Sequence, residues 1–268
     1  MSKERIGLLL DTSRCMACRA CQVACKQWNK LPAEPKETWK TRGSYENPAD
    51  LSLITWTRVR FTEHELPAGG FEWLFRKVQC MQCQDATCLK VCPESRALYR
   101  NQDGVIVLDS TYCTGCGYCT QNCPFEIPRF DARERRAAKC NLCHDRIANG
   151  LIPACAKACP TQAIQFGPRD ELVARARQRI QALQGKGYRE ASLYGEHECG
   201  GLGVMYVLKY DRSKYEGLPA DPQVPLSVKL WKDWLKPVGL ASVLGGLGFV
   251  VFHYVLHGPK LTEREGGD

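Results

Sequence analysis

Apolar positions fall in short runs separated by cysteine-rich loops along most of this chain, and in one long run near its end. Residues 6–11 read as a strand feeding a cysteine loop, and residues 19–28 as a short helix after it. Residues 72–78 form a second apolar strand ahead of another such loop. Residues 97–100 and 105–109 flank Asp103-Gly104, a pairing that predicts a β-hairpin. Residues 169–184 predict a charged amphipathic helix, with Leu172, Val173, Ala176, Ile180 and Leu183 at helical spacing for core packing. Residues 193–194 and 204–209 predict a closing hairpin across a glycine-rich turn.

The pattern then changes. Residues 211–227 carry Pro219, Pro222 and Pro225 among polar residues and read as a linker. Residues 228–257 read as a transmembrane helix, followed by a tail over 258–268. The stretch 238–256 has no formal charge, and as a helix it crosses about 28 Å of hydrocarbon. Trp231, Trp234 and Tyr254 lie near its ends, as interfacial aromatics do. Ser227 is placed to cap the helix, and Pro237 to mark its entry or a kink. Ala241 with Gly245, and Ser242 with Gly246, put small residues one turn apart, a face suited to packing against another membrane helix. His253 lies close to one end of the span, which favours an interfacial hydrogen bond over contact with a haem or quinone.

The cysteines decide the chemistry. Of 17, all but Cys199 fall into four groups: Cys15, Cys18, Cys21 and Cys25; Cys80, Cys83, Cys88 and Cys92; Cys113, Cys116, Cys119 and Cys123; Cys140, Cys143, Cys155 and Cys159. The third group reads C-x2-C-x2-C-x3-C-P, the bacterial ferredoxin run, in which three thiolates wrap one cubane and the fourth ligates its neighbour. The first matches except that Lys26 stands where the proline would be. The second and fourth have longer middle gaps and still end in x3-C-P. Four such runs imply four [4Fe–4S] clusters. A zinc-binding interaction module would close pairs of C-x2-C units into tetrahedral sites, but it gives no reason for a third cysteine at the next interval or for the repeated C-P. A disulfide framework suits short secreted chains, and no cleavable export signal precedes Cys15. Cys199 is expected to be a buried or free thiol.

Charge changes meaning once clusters are counted. The formal +8 of the chain suggests nucleic acid or an acidic membrane. Four oxidised clusters with their thiolates contribute about −8, which brings the whole near neutrality. Arg14, Arg19, Lys26, Lys77, Lys90, Lys139, Arg146 and Lys157 lie beside or inside the cysteine runs, where they can offset anionic clusters. No nucleic-acid module accompanies them. The fold class expected is therefore α+β, with two interwoven ferredoxin-like halves and one C-terminal transmembrane helix.

The cysteine runs are joined by further segments: Asn47-Pro48-Ala49-Asp50-Leu51, Gly115-Cys116-Gly117-Tyr118-Cys119 leading to Cys123-Pro124-Phe125, Val204-Met205-Tyr206-Val207-Leu208, Gly217-Leu218-Pro219 and Leu230-Trp231-Lys232. Together they resemble the iron–sulfur beta subunit of respiratory, membrane-bound formate dehydrogenases over nearly the whole chain. Four cysteine runs alone are shared with other molybdenum oxidoreductases and some membrane-bound hydrogenases; the C-terminal helix and its flanks narrow the choice.

The resemblance implies an electron-transfer subunit. A catalytic alpha subunit with a molybdenum or tungsten pterin would oxidise formate, and a cytochrome b gamma subunit would reduce quinone. No catalytic residue is then expected in this chain. It also implies nested ligation: Cys15, Cys18 and Cys21 with Cys159 (cluster 1), Cys80, Cys83 and Cys88 with Cys123 (cluster 2), Cys113, Cys116 and Cys119 with Cys92 (cluster 3), and Cys140, Cys143 and Cys155 with Cys25 (cluster 4). Spacing alone does not choose this over adjacent pairing, although the hairpin joins the second and third runs. The matching domains are residues 76–135 as an inner two-cluster unit, with 1–75 and 136–210 as the outer one. Location in a bacterial inner membrane follows, single-pass, with the cluster domain periplasmic through export beside a signal-bearing partner. Lys229, Lys232 and Lys236 before the span, against Lys260 and Arg264 after it, lean the other way.

Overall fold

The computed structural model describes residues 5–35, 45–66 and 69–258; most of the tail, with Lys260 and Arg264, lies outside the described residues. The chain begins with β1 (Ile6–Asp11) and α1 (Ala20–Trp28). Arg19 stands ahead of the helix in left-handed backbone instead of inside it. An antiparallel ribbon follows, β2 (Arg58–Glu65) with β3 (Phe71–Val78). The apolar pattern reveals only β3, because β2 reads Arg-Val-Arg-Phe-Thr-Glu-His-Glu, with polar residues at most of its positions. Next come α2 (Thr87–Val91), the expected hairpin of β4 (Leu98–Arg100) with β5 (Ile106–Leu108), and α3 (Tyr118–Gln121). A second hairpin pairs β6 (Arg129–Asp131) with β7 (Arg136–Ala138). Two short helices, α4 (His144–Ala148) and α5 (Ala154–Lys157), lead to β8 (Ile164–Pro168) and α6 (Arg169–Gln184). The last strands are β9 (Ser192–Tyr194) and β10 (Val204–Leu208).

One four-stranded sheet, in the order β8-β1-β10-β9, draws the two ends of this region together. β1 runs parallel to β10, pairing Leu8 with Val204 and Leu10 with Tyr206. Both strands are apolar almost without interruption because both faces of the sheet are covered. Period-two alternation sends Leu9, Met205 and Val207 toward Leu172, Val173, Ala176 and Leu183 of α6. It sends Leu8, Leu10, Val204 and Tyr206 to the opposite face, among Cys21, Cys80, Cys140 and Cys155. The parallel approach is close: a Cβ on Gly7 would stand 2.6 Å from the Gly203 carbonyl oxygen, so no larger residue fits there.

Residues 1–224 form one compact unit, with the halves interwoven. The expected cuts at 75/76 and 135/136 fall within β3 and the β6–β7 hairpin, and Leu8, Val105, Phe125 and Leu142 share one core. Within the stretch 211–227, expected as a linker, residues up to Val224 belong to this unit. Tyr215, Leu218 and Val224 are buried, Arg76 donates to the Glu216 carbonyl at 2.6 Å, and Tyr194 to that of Pro219 at 2.9 Å. Its prolines make an irregular strap, which local composition does not distinguish from a free spacer.

Residues 225–268 form the second unit. α7 (Leu226–Leu230) passes through one π turn, Trp231–Leu235, into α8 (Lys236–His257). Pro225 precedes the first turn and Ser227 lies inside it without a capping bond, so the expected cap is not used. Pro237 has no N–H to return to the carbonyl four residues back, and the widened turn stands directly before it. α8 has a mean hydropathy of 1.8 and no buried side chain in its apolar window, and it spans about 33 Å. His253 lies with its ring 6.4 Å from Phe249 and 5.0 Å from His257.

Candidate metal centres

The same backbone device recurs in all four cysteine runs. The residue before the second cysteine is left-handed each time: Ala17 (φ 55°), Gln82 (53°), Gly115 (74°) and Leu142 (52°). Only one of the four is glycine, and the conformation costs an ordinary residue roughly 1–2 kcal/mol. At Gly115 a Cβ would meet the Arg135 carbonyl oxygen at 2.6 Å, which explains glycine there. Such reversals turn successive N–H groups inward as an anion-binding nest. Leu142 N–H accordingly points at Cys140 Sγ, 3.4 Å away. Glu126 and Gln162, each third after a terminal cysteine, are left-handed as well.

These loops bring the cysteines together across runs. One cavity is lined by Cys15, Cys18, Cys21 and Cys159, a second by Cys25, Cys140, Cys143 and Cys155, a third by Cys92, Cys113, Cys116 and Cys119. The remaining four are tied by mutual electrostatics: burial pushes the Cys88 thiol up to about 12 with Cys80 and Cys123 adding to the rise, and burial lifts Cys123 to about 11 with Cys80 contributing. Cys199 stands beside Cys83 of this set and donates to the Pro222 carbonyl at 3.0 Å. None of the 17 is in a disulfide. Among the described residues no three His, Cys, Asp or Glu side chains converge on a single ion; the cysteines surround volumes, as a cubane requires and a lone zinc does not.

Neighbourhood gives the sites a sequence. Lys77 lines both the first and second cavities. Cys140 of the second is raised to about 12 by burial, then by Cys143, Cys155 and Cys80, and Gln82 donates to its carbonyl at 3.1 Å. Cys88 in turn feels Cys119 of the third cavity. Cys18 and Cys116, at the two ends of this series, are the exposed members of the sixteen. Apolar side chains fill the walls elsewhere, including Leu10, Val59, Phe75 and Ile164 at the first cavity and Leu98, Leu108 and Ala137 at the third.

The basic residues beside the runs divide sharply. Arg14 pairs with Asp11, Lys90 with Asp85, and Lys26 donates to the carbonyls of Pro32 and Ile54. Arg19 reaches the Tyr45 carbonyl. Arg146 stacks over Trp28 at 4.2 Å and donates to the Ile152 carbonyl, and buried Lys139 donates to the carbonyls of Ile106 and Cys140. Lys77 is different: it is 4% exposed and its Nζ has no hydrogen-bond partner. Burial works against its charge, yet Cys155, Cys21, Cys140 and Cys25 raise its pKa overall. Gln79, fully buried beside the second cavity, also leaves both amide atoms unpartnered. Orphaned donors beside four-thiol sets fit an anionic cluster. Gln79 carries no sequence signal, because a glutamine in an apolar strand looks like any polar interruption.

Two families, each described as a 4Fe-4S dicluster domain, match residues 14–96 and 71–169, and residues 224–266 match a family described as formate dehydrogenase N, transmembrane. The chain is 44% identical over 260 residues to the nitrate-inducible formate dehydrogenase iron-sulfur subunit of Escherichia coli, covering 96% of this chain and 87% of that one. It is 45% identical to the formate dehydrogenase iron-sulfur subunit of Haemophilus influenzae, covering 97% and 83%. A formate dehydrogenase 2 subunit beta (cytochrome c-553) of Nitratidesulfovibrio vulgaris is 34% identical, covering 78% and 95%.

Proposed function

This chain belongs to the family of formate dehydrogenase iron–sulfur subunits, and on that premise we propose how its residues hold the electron path. It is an electron-transfer subunit with four [4Fe–4S] clusters and a membrane helix, partnered with a catalytic subunit. The ligand sets we assign are Cys15, Cys18, Cys21 and Cys159; Cys25, Cys140, Cys143 and Cys155; Cys80, Cys83, Cys88 and Cys123; and Cys92, Cys113, Cys116 and Cys119. The observation that carries this assignment is the lining of three cavities by three cysteines of one run and one of another. Bound there, the clusters supply one-electron oxidation and reduction.

The protein's own part is to position, insulate and bias. The left-handed residues aim N–H groups at sulfur, and the apolar walls keep water from the sites. The exposed Cys18 and Cys116 loops present the two ends of the series to partners. We assign a cytochrome b subunit as the membrane partner and a periplasmic position for residues 1–224. Support comes from the small-residue face of α8 at Ala241, Ser242, Gly245 and Gly246 and from family resemblance.

The intact membrane complex, purified anaerobically, is expected to show dye-linked formate oxidation together with four cluster signals from this chain. A complex with hydrogenase activity and no formate oxidation would overturn the reading. Protease added to intact spheroplasts should digest the cluster unit; a protected unit would reverse the orientation.

A further inference from the structure

Lys77 stands at an unusual place. It projects from β3 into the protein interior, and it lines the cavity of Cys15, Cys18, Cys21 and Cys159 as well as that of Cys25, Cys140, Cys143 and Cys155. Its strand is fixed on both sides: Tyr206 donates to the Lys77 carbonyl at 2.7 Å and Thr57 to that of Val78 at 3.0 Å. The ammonium nevertheless has no hydrogen-bond acceptor, and none of the ion pairs among the described residues involves it. Asp11, the carboxylate lining the first cavity, is engaged by Arg179 at 2.8 Å. Lys139, the other lysine buried among the described residues, is satisfied by backbone carbonyls. A buried, unpaired cation is strongly disfavoured unless an anion stands opposite it.

We propose that Lys77 is the shared counter-cation of the two clusters held in these cavities, biasing both potentials upward together. The proposal rests on the ligand assignment above. Each of those clusters gains one negative charge on one-electron reduction, with no bond made or broken, and a fixed positive charge between them favours the reduced form of each. A single residue thereby keeps two neighbouring potentials in step. Gln79 lines only the second cavity, so its amide acts on one cluster.

The test uses the whole complex carrying Lys77→Met, Lys77→Arg or Gln79→Leu, with EPR-monitored redox titration and iron determination. Lys77→Met should move two of this chain's four midpoint potentials to more negative values and leave the other two in place. Lys77→Arg should hold all four near wild type, since the charge is kept. Gln79→Leu should move one of the two that Lys77→Met moves. Four unchanged midpoints, or four shifted alike, in an iron-replete Lys77→Met complex would overturn the proposal, as would a Gln79→Leu shift in a different cluster. If Lys77→Met fails to load, loss of about eight irons relative to wild type, restored in Lys77→Arg, supports the same role; loss of all four clusters would make Lys77 a folding residue and overturn it. A wild-type complex lacking four cluster signals would instead refute the ligand assignment, independently of Lys77.

Discussion

Cys25 and Cys159 each close a run whose other three cysteines line a different cavity. Replacing Cys25 with Ser is therefore expected to alter the EPR signal of the cluster at Cys140, Cys143 and Cys155 more than that at Cys15, Cys18 and Cys21, and Cys159→Ser to do the converse. Changes confined to the mutated run would rule out the exchange. A second residue-scale expectation concerns Gly7. Its substitution by Ala drives a Cβ into the Gly203 backbone and should cost about 1–3 kcal/mol, read as iron release at lower temperature. The four cysteine runs are legible from spacing alone, because ligation demands sulfur at fixed intervals; the exchange of cysteines between runs is not. The left-handed Ala17, Gln82 and Leu142 were not, since nothing in their side chains advertises positive φ. The role of Lys77 was legible only as one basic residue among eight, until burial and the missing acceptor set it apart.

At the scale of elements, α6 packs on the face of the sheet opposite the cysteines. Leu172→Ala, at a fully buried position, should cost about 2–5 kcal/mol and lower the temperature of iron release. Redox titration should find the four midpoints unmoved, and a shift would mean that the sheet transmits strain to the sites. The strap over 211–224 makes a sharper comparison. A chain ending at Asp211 lacks Tyr215, Leu218 and Val224 and should lose clusters, whereas one ending at Ser227 should load all of them; equal loading would show that the strap is dispensable. Strands whose apolar residues run together, β1, β3 and β10, were visible in the pattern. β2 was hidden by its charges, and the strap by its prolines, because what buries them lies far away in sequence.

For the whole molecule, the two units divide electron carriage from attachment. Loss of the chain after Ser227 should leave dye-linked formate oxidation largely intact and greatly reduce quinone reduction. Leu at both Gly245 and Gly246, where an added Cβ meets nothing within 4 Å among the described residues, should give a milder form of the same defect with iron unchanged. A truncated protein that remains membrane-bound and quinone-linked at full rate would refute docking through α8.

The parallel pairing of β1 with β10 also sets a timetable for the nascent protein. β1 waits for β10, the last strand among the described residues, before the sheet can close, and on the proposed ligand sets Cys15 and Cys25 wait for Cys159 and Cys140. On those ligand sets the early cysteines remain unclaimed until synthesis has passed residue 208 of 268, which makes assembly of the outer pair a late event. Pulse-labelled chains are accordingly expected to acquire half of their iron only once residue 208 has been synthesised. A protein built this way reaches any export machinery either finished or without its outer clusters.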